Sequence, residues 1–264
     1  FAAAAERIFE FNKKIVDTLY DVVPSVKVQI AYYEMYGVPG MKAFEETLKY
    51  AAEKGLIVIA DAKRNDIGST AACYSKAFLG NTDLNGNALR AFPADYLTVN
   101  GYLGTDGIQP FAQDCSERNK GIFVLVKTSN PSGGELQNLL LENGLPVYEY
   151  MGGLVEKWGE STVGRYGYSA VGAVVGATHP EEAARLRKVL PHTFFLIPGY
   201  GAQGANAQML KCCFKEDGLG GVVNNSRGIL CAYKKNGGSY FDAARAAAVA
   251  MQKDLSEVIG RMGK

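Results

Sequence analysis

The chain has 264 residues, 47% of them hydrophobic and 21% charged, which allows a sizeable core and argues against disorder. Its 28 basic and 27 acidic residues leave a net charge of +1, and with no Lys/Arg-rich block or basic tail nothing marks a nucleic-acid partner. A small anionic substrate, which needs only a local positive site, stays open.

Five cysteines, Cys73, Cys115, Cys212, Cys213 and Cys231, form neither a CxxC pair nor a zinc-ligand pattern. Their scatter fits reduced thiols of the cytoplasm better than a secreted disulfide framework. No signal peptide and no apolar run of about 20 residues points to a membrane.

In chain order, residues 2–22 read as a helix, with Ile8, Phe11, Ile15, Leu19 and Val22 at spacings of three or four before Pro24. Residues 26–31 read as a strand that carries Lys27, a cation needing a carboxylate partner if the sheet is buried. Pro39 opens a helix with an apolar stripe of Phe44, Leu48, Ala51 and Ala52. Residues 56–63 form an apolar, β-branched strand delivering Asp61 and Lys63 to one side, with Asp66 beyond the turn near a helix opening at Ser69 or Thr70. The Gly/Asn-rich residues 80–87 read as an excursion. Further strands are expected at 96–100, 121–128, 171–177, 194–198 and 219–224. Helices through Trp158, Leu186 and Ala248 follow the fourth, fifth and seventh strands.

Repeated βα units over one domain length suggest a closed barrel or a doubly wound sheet. Seven strands and an unmatched first helix favour an eight-stranded (β/α)8 TIM barrel, a single domain over residues 1–264 whose first strand is missing from the sequence. Phe1 is not an initiator methionine. We therefore expect roughly 20–50 further N-terminal residues bearing a short apolar strand that ends in an aspartate.

Ligands of such folds meet the carboxyl ends of the strands. Two carboxylates and an ammonium so close together are costly unless they pair or meet a ligand, and an ordinary ion pair closing a strand is the plain alternative. Gly199-Tyr200-Gly201-Ala202-Gln203-Gly204 matches G-x-G-x-x-G, but a dinucleotide fingerprint belongs at the first βα turn. After the penultimate strand, such glycines suit a phosphate, and Arg227 after the last strand supplies a guanidinium fork. Tight turns with a surface arginine would look the same. Asn100, Thr128, Ser129 and Thr178 stand at other strand ends. His179 and His192 carry no pattern pointing to catalysis.

Taken together, the stretch Asp61–Thr70, Lys27, Thr128-Ser129-Asn130-Pro131, the 199–204 glycines and Asn225-Ser226-Arg227 resemble the orotidine 5'-phosphate decarboxylase family, in its longer-chain branch, over essentially all 264 residues. The D-x-K-x-x-D signature at 61–66 is shared with related sugar-phosphate enzymes, so the combined set is more specific than any one motif. The resemblance implies a homodimeric eight-stranded barrel that converts orotidine 5'-monophosphate to uridine 5'-monophosphate without metal or organic cofactor. It implies that Lys27, Asp61, Lys63 and Asp66 form the charged network, Asp66 entering the neighbouring subunit's site beside Ile67 and Thr70. Ser129 would contact the pyrimidine edge, and Gln203 and Arg227 the phosphate; Asn100 and Thr128 line the same mouth. An aspartate that the family carries on its first strand has no counterpart here. A sugar-phosphate lyase or metal-assisted decarboxylase, and a non-catalytic phosphate-binding barrel, remain as alternatives.

Overall fold

Short β-branched strands alternate with amphipathic helices along the chain, and the computed structural model describes residues 1–201 and 204–260. Its first half runs α1 (Ala2–Leu19), β1 (Ser25–Gln29), α2 (Ala31–Glu34), α3 (Gly37–Glu53), β2 (Ile57–Arg64), α4 (Gly68–Phe78), β3 (Thr82–Leu84), β4 (Asn87–Leu89), β5 (Tyr96–Val99) and α5 (Thr105–Arg118). There follow β6 (Gly121–Lys127), α6 (Gly134–Gln137), α7 (Val147–Gly159), β7 (Val171–Val175), α8 (Pro180–Val189), β8 (Phe195–Pro198), α9 (Ala207–Leu210), β9 (Gly221–Asn224), α10 (Ser226–Leu230), α11 (Tyr233–Asn236) and α12 (Tyr240–Ile259). Among the described residues no helix is long and apolar enough to cross a membrane.

The described residues divide into two compact units, one comprising 1–121 and 232–248, the other the described residues of 122–231 together with 249–260. In the first unit β1 pairs with β2 in parallel, Lys27 beside Ile59 and Gln29 beside Asp61. Next, β2 pairs with β5 in parallel, but the register slips. Ala60 faces Leu97 and Arg64 faces Val99, so Asp61, Ala62 and Lys63 together stand against Thr98 alone. Such a bulge kinks a strand and re-aims its side chains. The buried packing of this unit includes Phe44, Leu48, Val58, Phe78, Leu97 and Phe111. The Asn12 amide donates to Tyr33 and Thr47 at 2.7 and 3.1 Å, and Arg245 of α12 clasps Asp21 at 2.7 Å.

In the second unit β6, β7, β8 and β9 pair successively in parallel. Here too a strand slips near its end: Leu125 faces Val174 and Lys127 faces Val175, leaving Val126 as the extra residue. Phe123, Val171, Leu186, Leu190, Phe195 and Ile197 form the buried packing. The side chain of Arg187 is also buried, its guanidinium 4.1 Å from the Phe195 ring and donating to the carbonyls of Leu190, Thr193 and Gly220.

Several local expectations need correction. The first helix stops at Leu19 rather than near Val22, and Ala52 is exposed, outside the apolar stripe of α3. The helix after β2 opens at Gly68. The excursion at 80–87 contains an antiparallel hairpin, β3–β4, turning at Asn85-Gly86. Both turn residues take positive φ, 55° and 80°, the geometry that matches the right-handed twist of paired strands. The bounds of helix α5 were not legible, because Gly107 and Pro110 interrupt its pattern.

Candidate active site

The bulge at the end of β2 gathers a charged cluster around Asp61. One carboxylate oxygen, Oδ2, accepts from Lys27 Nζ at 2.5 Å and from Gln29 Nε2 at 3.0 Å. The other, Oδ1, accepts from Lys63 Nζ at 2.6 Å and from Thr98 Oγ1 at 2.9 Å. Thr98 Oγ1 in turn accepts from the Lys63 backbone N–H at 3.0 Å. One buried hydroxyl thus holds both the carboxylate and the backbone that carries the lysine. Lys63 sits at φ 47°, a left-handed conformation that costs any residue with a Cβ energy unless its surroundings enforce it.

Exposure grades this cluster. The side chains of Asp61 and Lys27 are 7% and 13% exposed, whereas that of Lys63 is 46% exposed. Burial opposes ionisation of Asp61, but the adjacent Lys27 and Lys63 ammonium groups outweigh it and hold the carboxyl below its ordinary range. Two ammonium groups on one carboxylate leave a surplus positive charge, presented by Lys63. A cation so mounted can stabilise negative charge developing on a ligand and can give up a proton.

Sequence reasoning brought Lys27, Asp61 and Lys63 together correctly. Asp66 does not join their hydrogen bonds: its Oδ1 accepts from the Ile67 backbone N–H at 2.8 Å, and Ile67 and Thr70 are exposed. Gln29 and Thr98 were missed. Gln29 lies two residues from Lys27 on the same face of β1, and Thr98 interrupts an otherwise apolar run, so both left a signal in strand periodicity. Asn100 uses its Oδ1 to accept from the Tyr102 backbone at 2.9 Å.

The second unit carries the other named residues. After β6, Thr128 is held by Gln137, whose Oε1 accepts from the Thr128 N–H at 3.0 Å and whose Nε2 donates to Thr128 Oγ1 at 2.7 Å. Ser129 lies against the end of β7, its carbonyl accepting from Thr178 Oγ1 at 3.3 Å. A Cβ at Gly176 would fall 2.8 Å from the Ser129 nitrogen, so only glycine lets the two strand ends approach this closely. After β8, Gly199, Gly201 and Gly204 all take positive φ, and the loop closes through Gly201 N–H to the Ala205 carbonyl at 2.8 Å. Gln203 lies outside the described residues. Asn225 caps α10 by accepting from the Gly228 N–H at 3.1 Å. Arg227 beside it is exposed and has no ion-pair partner among the described residues. His192 pairs with Glu156 at 2.7 Å, and His179 lies 3.9 Å from Glu182, so neither enters the Asp61 cluster.

The chain is similar to known proteins of one kind. A curated relative from Clostridium acetobutylicum named orotidine 5'-phosphate decarboxylase is 45% identical over 98% of this chain and 88% of its own length. One of the same name from Caldicellulosiruptor bescii is 46% identical over 86% of this chain and 74% of its own. Among solved structures, the orotidine monophosphate decarboxylase of Leishmania donovani superposes with a TM-score of 0.78 at 29% identity, covering 98% of this chain and 89% of that one. The UMP synthase of the same organism superposes with a TM-score of 0.81 at 30% identity, this chain covering 51% of that longer protein. These likenesses, with the parallel βα units, place the fold in the α/β-barrel class. The model of the orotidine 5'-phosphate decarboxylase / HUMPS family matches residues 7–235, and the chain belongs to that family.

Proposed function

We propose that this chain, acting as one catalytic domain, decarboxylates orotidine 5'-monophosphate to uridine 5'-monophosphate, with Lys63 as the acid that completes the reaction. The single observation that carries this reading is the half-exposed Lys63 ammonium, fixed at 2.6 Å on a buried carboxylate that is itself neutralised by Lys27. The curated relatives' names supply the substrate.

The step needs such a group. When the bond to the carboxylate breaks, its electron pair stays on the ring carbon as carbon dioxide leaves, and no carbonyl is placed to absorb the charge as an ordinary enolate. An adjacent ammonium stabilises that charge, then gives its proton to the carbon to form the C–H bond. Lys63 is left neutral and recovers one proton from water, which its exposure permits. Lys27 and Asp61 hold the electrostatic setting throughout.

The other roles follow from the family resemblance. Ser129 meets the pyrimidine edge, Thr128 and Asn100 serve the same substrate from the ends of β6 and β5, and Arg227 and Gln203 grip the phosphate. The exposed guanidinium of Arg227 and the glycines at 199, 201 and 204 support the phosphate assignment. Phosphate contacts remote from the reacting carbon supply binding energy that can be expressed in the transition state. We further propose a cytoplasmic homodimer in which Asp66, Ile67 and Thr70 serve the neighbouring subunit's site, a role their position beyond the β2 end suits. An ultraviolet decarboxylation assay with chelator present tests the reading. Turnover should survive chelation, and Lys63→Ala should lose nearly all of it while still binding nucleotide. Near-normal turnover by purified K63A, or activity that vanishes with chelator, would overturn the assignment.

A further inference from the structure

The second unit contains a lysine that the proposed chemistry does not use. Lys127, the last residue of β6, is 1% exposed, far less than Lys63. Its Nζ donates to Asn138 Oδ1 at 2.5 Å, lies 3.8 Å from Glu182 Oε1 and stands 5.0 Å from the Tyr148 ring centre. The nearest hydrogen-bond acceptor is therefore a neutral amide eleven residues on, rather than the more distant carboxylate. A buried ammonium is costly without hydrogen-bond partners, so it favours whichever loop conformation brings Asn138 over it. Burial lowers the affinity of Lys127 for its proton, and the Glu182 charge opposes that.

This contact has a neighbour in parallel. Thr128, one residue after Lys127, makes the two hydrogen bonds to Gln137, one residue before Asn138. Adjacent residues at the strand end thus clamp adjacent residues at the end of α6, closing the intervening loop into a ring. The ring is tight. A Cβ at Gly133 would fall 2.9 Å from Thr128 Oγ1, and Gly133 N–H already donates to the Asn130 carbonyl at 3.1 Å. Ser129 is the first residue inside it.

We propose that Lys127 and Asn138 are positioning residues that fix the 129–137 loop, and through it Ser129, for recognition of the pyrimidine. The inference rests on the assignment of Ser129 to the pyrimidine edge. Asn138 is exposed, so its replacement leaves the buried packing intact.

The test compares Asn138→Ala, Asn138→Asp, Lys127→Met and Ser129→Ala by steady-state kinetics on orotidine 5'-monophosphate. Each is also titrated with uridine 5'-monophosphate and with ribose 5-phosphate, which has no base. For N138A, loss of a charge-assisted hydrogen bond should raise KM and weaken uridine 5'-monophosphate binding by roughly tenfold. The change in kcat should be smaller, and ribose 5-phosphate binding should not move. N138D keeps an acceptor for the ammonium and should restore binding to within about twofold of the parent. K127M should follow N138A.

N138A behaving like the parent while S129A is impaired would overturn the proposal. Equal weakening of both ligands by N138A would also overturn it, by showing general loosening. S129A behaving like the parent would instead defeat the Ser129 assignment itself.

Discussion

Thr98→Val is the most informative single change at the charged cluster. Valine has nearly the shape of threonine but neither donates to Asp61 Oδ1 nor accepts from the Lys63 N–H, the two bonds Thr98 makes at 2.9 and 3.0 Å. Asp61 keeps three of its four donors, so losing the hydroxyl costs the low end of a charged hydrogen bond, about 1.5 kcal/mol. The Lys63 N–H is left without its acceptor, adding about 1 kcal/mol. Destabilisation of about 2–3 kcal/mol should appear in urea unfolding as a lower midpoint with an unchanged slope. Activity should fall further than stability implies, because the left-handed Lys63 backbone has lost the contact that enforces it. A drop in kcat of roughly 10–100-fold corresponds to about 1.4–2.7 kcal/mol of transition-state stabilisation. Thr98→Ser keeps the hydroxyl and should retain most turnover. Parent-like kcat for T98V, with K63A inactive, would refute the claim that Thr98 sets the lysine.

Arg227→Ala should weaken phosphate recognition by about 1.5–3 kcal/mol, roughly tenfold to 150-fold in kcat/KM, and less for a substrate without phosphate; equal losses for nucleotide and nucleoside would remove it from that role. Mixing inactive Lys63→Ala and Asp66→Ala chains and allowing exchange should restore activity, since one site of a mixed dimer then holds both intact residues; demonstrated mixed dimers without activity would contradict shared sites. Because the folded pKa of Asp61 is lowered, its stabilisation is fully present above the unfolded carboxylate value of about 3.9 and is lost as pH falls through the folded value. The stability gap between the parent and Asp61→Asn, large in urea at pH 6, should therefore shrink in more acidic solution, and a pH-independent gap would show that the charge of Asp61 does not matter.

The pairing of Lys27 with a carboxylate was legible because a cation inside a β-branched run has few other ways to be buried. Asp61 and Lys63 were also legible as neighbours, but for an incomplete reason. Simple alternation puts them on one side, whereas the structure reaches that result through a bulge and a lysine with positive φ. Nothing local in Ala62-Lys63-Arg64 announces a left-handed residue; the Thr98 hydroxyl, 35 positions away, enforces it. Lys127 was hidden differently. It closes an apolar run, and only the folded loop shows that an amide comes back over it. The hairpin at 82–89 did carry its signal, since Asn85-Gly86 is a strong turn pair, but the surrounding polar residues masked three-residue strands.

The left-handed Lys63 also bears on how this enzyme can be engineered. An L-residue with a side chain gives up about 1–2 kcal/mol in that backbone region, a cost that glycine escapes. Its ion pair with Asp61, half-exposed on the lysine side and buried on the carboxylate side, offsets part of that cost. Position 63 is therefore one where backbone conformation and chemistry select opposite residues. A library screened for heat resistance alone would drift toward glycine or asparagine there and discard the residue we propose as the acid of the reaction. Stabilising campaigns on this scaffold should hold residue 63 fixed, or score turnover in every round.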